Sequence, residues 1–106
     1  ESDSVSDIKK LFTFDDLPQA PRIINQPNFA FPRSLIRRGI KEGKVIVKIV
    51  INPQGRARIL EVLSATNPEL IPAAKDVIRQ ARFTPPKVDG VPREVHGEWP
   101  IVLHAP

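Results

Sequence analysis

The sequence predicts an α+β domain, a three-stranded antiparallel sheet in the order 2-1-3 with two helices on one face. Residues 45–51 are β-branched and apolar on both faces, which is typical of a central strand. A tight turn joins this strand directly to a second one. A helical pattern over residues 72–82 then returns the chain, so that a third extended stretch, 91–104, can run antiparallel to the first strand.

The composition limits the chain to one domain with a modest core. It has 106 residues, 41% of them hydrophobic, no Cys and a net charge of +4. The lack of Cys excludes disulfides, Cys-ligated zinc and thiol catalysis. No apolar run approaches the ~20 residues that span a bilayer. The chain begins with Glu1 rather than Met, so we expect it to be part of a longer protein.

The chain divides into a linker and a domain. We assign residues 1–20 to an acidic, Pro-containing linker or tail, and residues 21–106 to the domain. Leu11, Phe12 and Phe14 are too apolar for a free tail. We therefore expect these three residues either to form a short strand or to lie against the domain.

A short helix is predicted in the stretch FPRSLIRRGI. It follows residues 18–32, whose four prolines predict an extended, polyproline-like path. Pro32 stands at a plausible first helical position and Gly39 just past the last turn, which matches the physics of helix ends. So short a helix persists only by packing, and Leu35 and Ile36 are its apolar residues.

The first two strands are predicted to form a hairpin. Val45–Ile51 is followed by the sequence NPQG, in which Gly55 can take a positive φ, so we expect a type I turn with a glycine bulge. The second strand is predicted over Ala57–Ser64, with Leu60 and Val62 toward one side.

The second half of the chain is predicted to hold the longer helix and an edge strand. The apolar side chains of residues 72–82 recur with helical spacing, and the sequence FTPP ends the helix. Residues 87–90 form a turn before the third extended stretch. Pro100 lies inside that stretch and cannot donate a hydrogen bond, so this strand is expected at an edge of the sheet.

Enzymatic activity is not predicted. His96 and His104 lie on one face of the same predicted strand but roughly 27 Å apart at the usual rise per residue, too far to share a metal. The serines have no predicted His–Asp partners, and no nucleotide-binding glycine motif is present. We therefore predict no catalytic residue, no metal and no cofactor.

A basic cluster raises the alternative of nucleic-acid binding. RNA-binding sheets normally carry stacking aromatic residues in their strands, and here only Trp99, in the third strand, is aromatic. We therefore predict no nucleic-acid partner and keep a basic nucleic-acid-binding module as an alternative function. The cluster comprises Arg33, Arg37, Arg38, Lys41 and Lys44.

A series of short motifs runs through residues 21–104. In chain order they are Phe31-Pro32, Arg37-Arg38-Gly39-Ile40, Gly43, VIVKIVINPQGRA, Asn67-Pro68-Glu69-Leu70, ARFTP, Asp89-Gly90-Val91-Pro92 and Pro100-Ile101-Val102. The ordered set resembles the C-terminal domain of TonB-family energy transducers, and the fold of that family agrees with the architecture predicted above. Ala81 stands where the family usually has Trp, so Trp99 or Phe29 is expected to pack the helix end. Either Phe29 or Phe31 could be the family's aromatic residue, and Pro32 favours Phe31.

The resemblance implies a coupling function on the periplasmic side of the inner membrane of a Gram-negative-type bacterium. TonB-type proteins are anchored by an N-terminal membrane helix, which would lie upstream of this chain and provide its only contact with a membrane. Their partners are TonB-dependent outer-membrane transporters, for example in siderophore uptake, and an ExbB/ExbD-like proton-driven motor. The transporter's TonB box, a short extended peptide, pairs with an edge strand by β-augmentation.

The resemblance also implies a binding site on the third strand, held rigid by the first strand so that force passes along it. A homodimer through the same edge is a second expectation. The alternative within the family is a periplasmic binding module without force transmission. The expected partner-binding residues are Gln26, Pro27, Arg33, Arg37, Arg38, Glu94, Val95, His96, Gly97, Glu98 and Trp99.

Overall fold

The computed structural model describes residues 12–106, so the expectation for Leu11 lies outside the described residues. Within this range no helix is long and apolar enough to cross a membrane. The helices are α1 (Arg33–Arg37) and α2 (Ile71–Gln80), with short 3-10 turns at Phe14–Asp16 and Pro68–Leu70. The strands are β1 (Phe12–Thr13), β2 (Glu42–Ile51), β3 (Ala57–Ala65), β4 (Lys87–Val88), β5 (Val91–Pro92) and β6 (Val95–His104).

The main sheet has four strands in the order β1-β6-β2-β3. β2 pairs antiparallel with β3 on one side and with β6 on the other, as expected for the three long strands. β1 pairs with β6 in the parallel direction. The predicted three-stranded antiparallel sheet is therefore wrong in strand count and in order, because Phe12 and Thr13 of the N-terminal segment add a parallel strand outside β6.

The core lies between the two helices and one face of β2. Alternate residues of β2 are fully buried on that face, and Val50 on the opposite face is buried as well. This two-sided burial is what a central strand requires. Both helices contribute to a single cluster with β2, so they cover the same face, as predicted. The cluster includes Val45, Val47, Ile49 and Ile51 of β2, Leu35 of α1, and Ala73, Ala74, Val77 and Ile78 of α2.

α1 ends in a Schellman motif centred on Gly39. Gly39 has a φ of 79°, and its N–H donates to the carbonyl of Ile36 at 3.0 Å. The N–H of Ile40 reaches back to the carbonyl of Leu35 at 2.9 Å. Pro32 is the residue before the helix rather than its first residue. Leu35 is fully buried, whereas Ile36 is 39% exposed, so one side chain anchors this short helix.

Asn52 and Gly55 build the turn between β2 and β3. The Asn52 carbonyl accepts from the Gly55 N–H at 2.9 Å, and its side-chain Oδ1 accepts from the N–H groups of Gln54 and Arg56. Gly55 has a φ of 86°, which confirms the predicted role of this glycine. Its carbonyl also accepts from the Phe83 N–H at 2.8 Å, so the turn is joined to the segment after α2.

β3 does not keep a simple alternation of faces. Val47 pairs with Val62 and Ile49 with Ile59, and register shifts interrupt the pairing between β2 and β3. Val62 packs against the core, whereas Leu60 is 48% exposed. The prediction that Leu60 and Val62 share a side is therefore wrong for Leu60, because each extra residue in a strand reverses the alternation.

α2 ends at Gln80, two residues earlier than predicted. Ala81 is already extended, with φ −66° and ψ 138°. The Arg82 N–H donates to Asn25 Oδ1 at 2.9 Å, and the Arg82 carbonyl accepts from the Ile24 N–H at 2.7 Å. The Pro-rich segment before α1 therefore takes the backbone groups that a longer helix would need.

The third extended stretch is divided into two strands. β4 and β5 form a hairpin whose two central residues, Asp89 and Gly90, have positive φ values of 53° and 79°. Positive φ at both positions is typical of a type I′ turn. The strand predicted over residues 91–104 is therefore interrupted at residues 93–94, and β6 begins at Val95.

Candidate functional site

The two long strands that flank β2 differ in regularity. β3 is distorted by register shifts against β2, and such bulges twist an edge away from partners. β6 pairs with all ten residues of β2 without a register shift. Its other hydrogen-bonding side, which we call the β6 edge, therefore has the even spacing that an added strand needs. Of the two, the β6 edge is the better candidate for β-augmentation.

β1 occupies the first two residues of the β6 edge. Phe12 pairs with Val95 and Thr13 with His96, in the parallel direction. After Thr13 the chain turns away into the 3-10 turn Phe14–Asp16. Within the described residues, no strand pairs with the β6 edge from Gly97 onward.

The backbone groups of the β6 edge can be assigned from Pro100. In an antiparallel pair, alternate residues turn both their N–H and C=O groups away from the partner strand. Pro100 lies opposite Ile46 and has no N–H, and a proline inside a ladder is tolerated where its nitrogen faces outward. We infer that His96 and Glu98, two and four residues earlier, also turn their N–H groups toward the β6 edge.

An aromatic cluster covers the helix side of this edge. Trp99 is half-buried, with its ring perpendicular to the ring of the fully buried Phe83 at a centroid distance of 5.0 Å. The Phe14 ring also lies edge to face with Trp99, at a centroid distance of 6.4 Å. Gly97 makes room for the Phe14 ring, because a Cβ on Gly97 would come within 2.5 Å of that ring.

The opposite side of the edge is a shallow depression of about 470 Å³, lined by charged side chains and also by Phe14 and Leu63. Lys48 of β2 lines it, with Glu98 directly opposite on β6 and Glu61 directly opposite on β3. Thr13 and His96 lie at the β1 end of the same depression. A peptide on the β6 edge would therefore meet apolar rings on one face and mixed charges on the other.

The predicted edge residues take different roles in the structure. Val95 is fully buried and Gly97 and Trp99 face the helices, so these three belong to the packed side. His96 and Glu98 lie on the polar face. Glu94 precedes β6 and belongs to no strand.

The basic residues Arg33, Arg37 and Arg38 lie apart from this part of the edge. All three are exposed on or just after α1, and Arg38 forms an ion pair with Glu69 at 3.1 Å. Arg33 lines a depression with His104, at the opposite end of β6 from Val95. The two ends of this strand are roughly 30 Å apart at the usual rise per residue.

Gln26 and Pro27 lie in a third place, beside the end of α2. Their neighbours Asn25 and Asn28 hydrogen-bond to the backbone and side chain of Gln80. Gln26 itself is exposed. The structure therefore does not bring the three groups of predicted residues into one site.

Sequence reasoning left three contact residues out of the site. Phe12 and Phe14 dock on the β6 edge, and the guanidinium of Arg93 lies 5.6 Å from the centre of the Phe12 ring. The signal for the two phenylalanines was present, since with Leu11 they form an apolar cluster in a mostly polar tail. The sequence contains no comparable signal for Arg93.

The histidines do not form a metal site with other ligands in the described residues. The His104 ring nitrogen Nδ1 lies 3.8 Å from the carboxylate of Glu42, the residue of β2 with which His104 is paired. In residues 12–106 no group of three or more His, Asp or Glu side chains is arranged to hold a metal ion.

The two aromatic alternatives of the sequence analysis are also distinguished by burial. Phe31 is 8% exposed and belongs to the core, whereas Phe29 is 37% exposed. Trp99 or Phe29 was expected to pack the end of the longer helix, where Ala81 stands. Of these two, Trp99 packs on Phe83, two residues after Ala81.

A comparison with protein families matches most of the chain. The family described as Gram-negative bacterial TonB protein C-terminal matches residues 27–102. A search of curated proteins found no match. The matched range contains α1, β2, β3, α2 and all of β6 except its last two residues.

Proposed function

Because the chain belongs to the family of Gram-negative bacterial TonB protein C-terminal domains, we propose that it binds the TonB box of outer-membrane transporters along the β6 edge. Domains of this family are periplasmic and associated with transport. The observation that carries the proposal is the regular ten-residue pairing of β6 with β2, together with an outer side of Gly97–His104 on which no other strand of residues 12–106 pairs.

The aromatic cluster supports this assignment of the site. An added peptide gains affinity from main-chain hydrogen bonds and specificity from pockets for alternate side chains. The half-buried ring of Trp99, packed on the buried Phe83, borders the β6 edge on the helix side and offers such an apolar surface. Lys48 and Glu98 offer polar contacts on the other side.

The domain would then pass force from the inner membrane to the transporter. In this proposal an upstream membrane helix anchors the protein, an ExbB/ExbD-like motor uses the proton gradient, and the bound peptide is pulled for nutrient uptake. The central position of β2 supports this role, because a load on β6 is shared by a ladder of ten paired residues.

A titration with a TonB-box peptide tests the binding site. We expect a fluorescently labelled peptide from a TonB-dependent transporter to bind, with amide chemical-shift changes concentrated in Gly97–Val102. A scrambled peptide of the same composition is the control. Shift changes confined to β3 or to α1 would place recognition elsewhere.

Reversing the charge of the basic helix should weaken the encounter with an acidic partner surface without unfolding the domain. Arg33 and Arg37 are exposed and, within residues 12–106, form no ion pair. We expect Arg33→Glu with Arg37→Glu to leave the melting temperature within a few degrees and to lower the association rate at low salt. Stopped-flow binding at several salt concentrations measures this effect, which should vanish near 1 M salt.

The matched control carries the same charge change elsewhere. Lys75→Glu with Lys87→Glu alters two exposed residues outside α1. Equal slowing by both double variants would indicate a net-charge effect and would assign the basic helix to the solvated surface. An unchanged association rate of the α1 variant at low salt would exclude the basic helix from recognition.

A further inference from the structure

We propose that the N-terminal segment Phe12–Leu17 is a built-in competitor that occupies the start of the β6 edge and must leave before a partner peptide can pair there. The inference rests on the proposed function, since it concerns access to the same edge. It predicts that the free domain is partly closed, and that peptide binding and release of the segment are one exchange.

The segment uses the backbone contacts that a bound peptide would use. β1 adds to β6 as an outer strand through Phe12 and Thr13. A second strand cannot pair with this part of β6 while β1 is there, because β1 already lies along the side on which that strand would have to add. The conflict is therefore direct at the first two residues of β6.

The segment also occupies the apolar surface beside the edge. The Phe14 ring lies on Gly97 and edge to face against Trp99. Any large side chain that an added peptide directs toward this surface would meet Phe14 first. The exclusion therefore extends from the two paired residues to the position of Gly97 and Trp99.

The attachment of the segment is short enough to be reversible. Among the residues that the structure describes, two of this segment pair with β6, and the rings of Phe12 and Phe14 remain partly exposed. The side-chain hydrogen bonds given for its described residues, Thr13 N–H to Asp16 and Asp15 N–H to Thr13, both lie within the segment. They shape the turn without tying it to the sheet. Short elements with few buried contacts open locally at low free energy.

Closure lowers the measured affinity in proportion to the closed population. The apparent dissociation constant equals the intrinsic constant divided by the fraction of open molecules. A substitution that loosens the segment should therefore tighten peptide binding, which is the opposite of the usual result of removing an aromatic residue from a binding surface.

The first test is Phe14→Ala in the full 106-residue chain. We expect a labelled TonB-box peptide to bind roughly tenfold more tightly to this variant, because the open fraction rises. Trp99 is the only tryptophan, so its emission reports release of the segment in the absence of peptide. Phe29→Ala, which removes another partly exposed ring outside the segment, is the matched control and should change neither measurement.

The second test locks the segment in place. Paired residues of neighbouring strands lie about 4.8 Å apart, within the Cα range of about 4.4–6.8 Å that disulfides accept. Thr13→Cys with His96→Cys would therefore join β1 to β6 in a chain that has no other Cys. We expect weaker peptide binding in the oxidised protein and recovery on reduction, so that one sample serves as its own control.

The outcomes separate this inference from the function on which it rests. Tighter binding by Phe14→Ala and weaker binding by the oxidised double-Cys variant support the competition. Equal or weaker binding by Phe14→Ala, or no effect of oxidation, overturns the competition and leaves peptide binding at the edge intact. No binding of the peptide by any of these proteins overturns the proposed function and the competition together.

Discussion

Gly55→Ala is expected to lower the melting temperature by roughly 12 °C or more. Gly55 has a φ of 86°, a conformation that costs a residue with a Cβ about 1–2 kcal/mol. The new Cβ would also collide with the carbonyl oxygen of Phe83. To relieve that collision the backbone of Phe83 must move, although its N–H donates to Gly55 and its ring is fully buried. We therefore expect a total loss of unfolding free energy of about 3 kcal/mol. In a domain of this size each kcal/mol shifts the melting temperature by roughly 4–8 °C.

Gly39→Ala is the matched control for Gly55→Ala. Gly39 has a similar φ of 79°, but nothing lies within 4 Å of an added Cβ. It therefore bears the conformational cost alone, about 1–2 kcal/mol. Thermal unfolding followed by circular dichroism compares the two. Equal shifts would show that the contact between the turn and Phe83 does not contribute to stability.

Glu98→Pro is expected to weaken TonB-box binding at least fivefold while the domain stays folded. The Glu98 side chain is exposed, and its N–H is inferred to face the β6 edge. A proline there removes one donor from the ladder with the peptide and none from the ladder with β2. One lost ladder bond is worth about 1 kcal/mol net, or roughly fivefold in affinity. Fluorescence anisotropy of the labelled peptide measures the change.

Glu98→Ala separates the backbone effect from the side-chain effect. It removes the carboxylate and retains the N–H, so peptide affinity should fall less than in Glu98→Pro. A proline variant that is folded and binds as tightly as the alanine variant would contradict main-chain recognition at this position. A loss of the β2–β6 pairing in its amide spectrum would instead show that the N–H faces β2.

The long elements of the fold could be predicted because each follows from a local pattern. The β-branched run over 45–51, the turn glycine at 55 and the helical spacing over 72–82 act within a few residues of sequence. The errors arose where distant segments compete for backbone groups. Neither the early end of α2, set by Asn25, nor the exposure of Leu60, set by a register shift, has a local signal.

The candidate site could be predicted at the level of the strand and less well at the level of residues. Pro100 predicted that one side of β6 is unpaired around that residue, because a missing donor is visible in the sequence, but β1 covers the first two residues of that side. The position of β1 could not be predicted, since a two-residue strand has too few residues for a periodic pattern. The face on which each residue of β6 lies depends on the residue at which β6 begins. The hairpin of β4 and β5 sets that starting residue.

The position of β2 between β3 and β6 has a consequence for the time order of folding. β2 and β3 are joined by a short turn and can pair as soon as both strands have been synthesised. β2 can pair with β6 only later, because Glu42 pairs with His104 near the end of this chain. Contacts between sequence-distant residues form slowly. During synthesis and export the most apolar strand therefore keeps one unpaired side until its last partner arrives, and in that interval it is most exposed to aggregation. Refolding experiments in which β6 variants alter the unfolding rate more than the folding rate would reveal this late step.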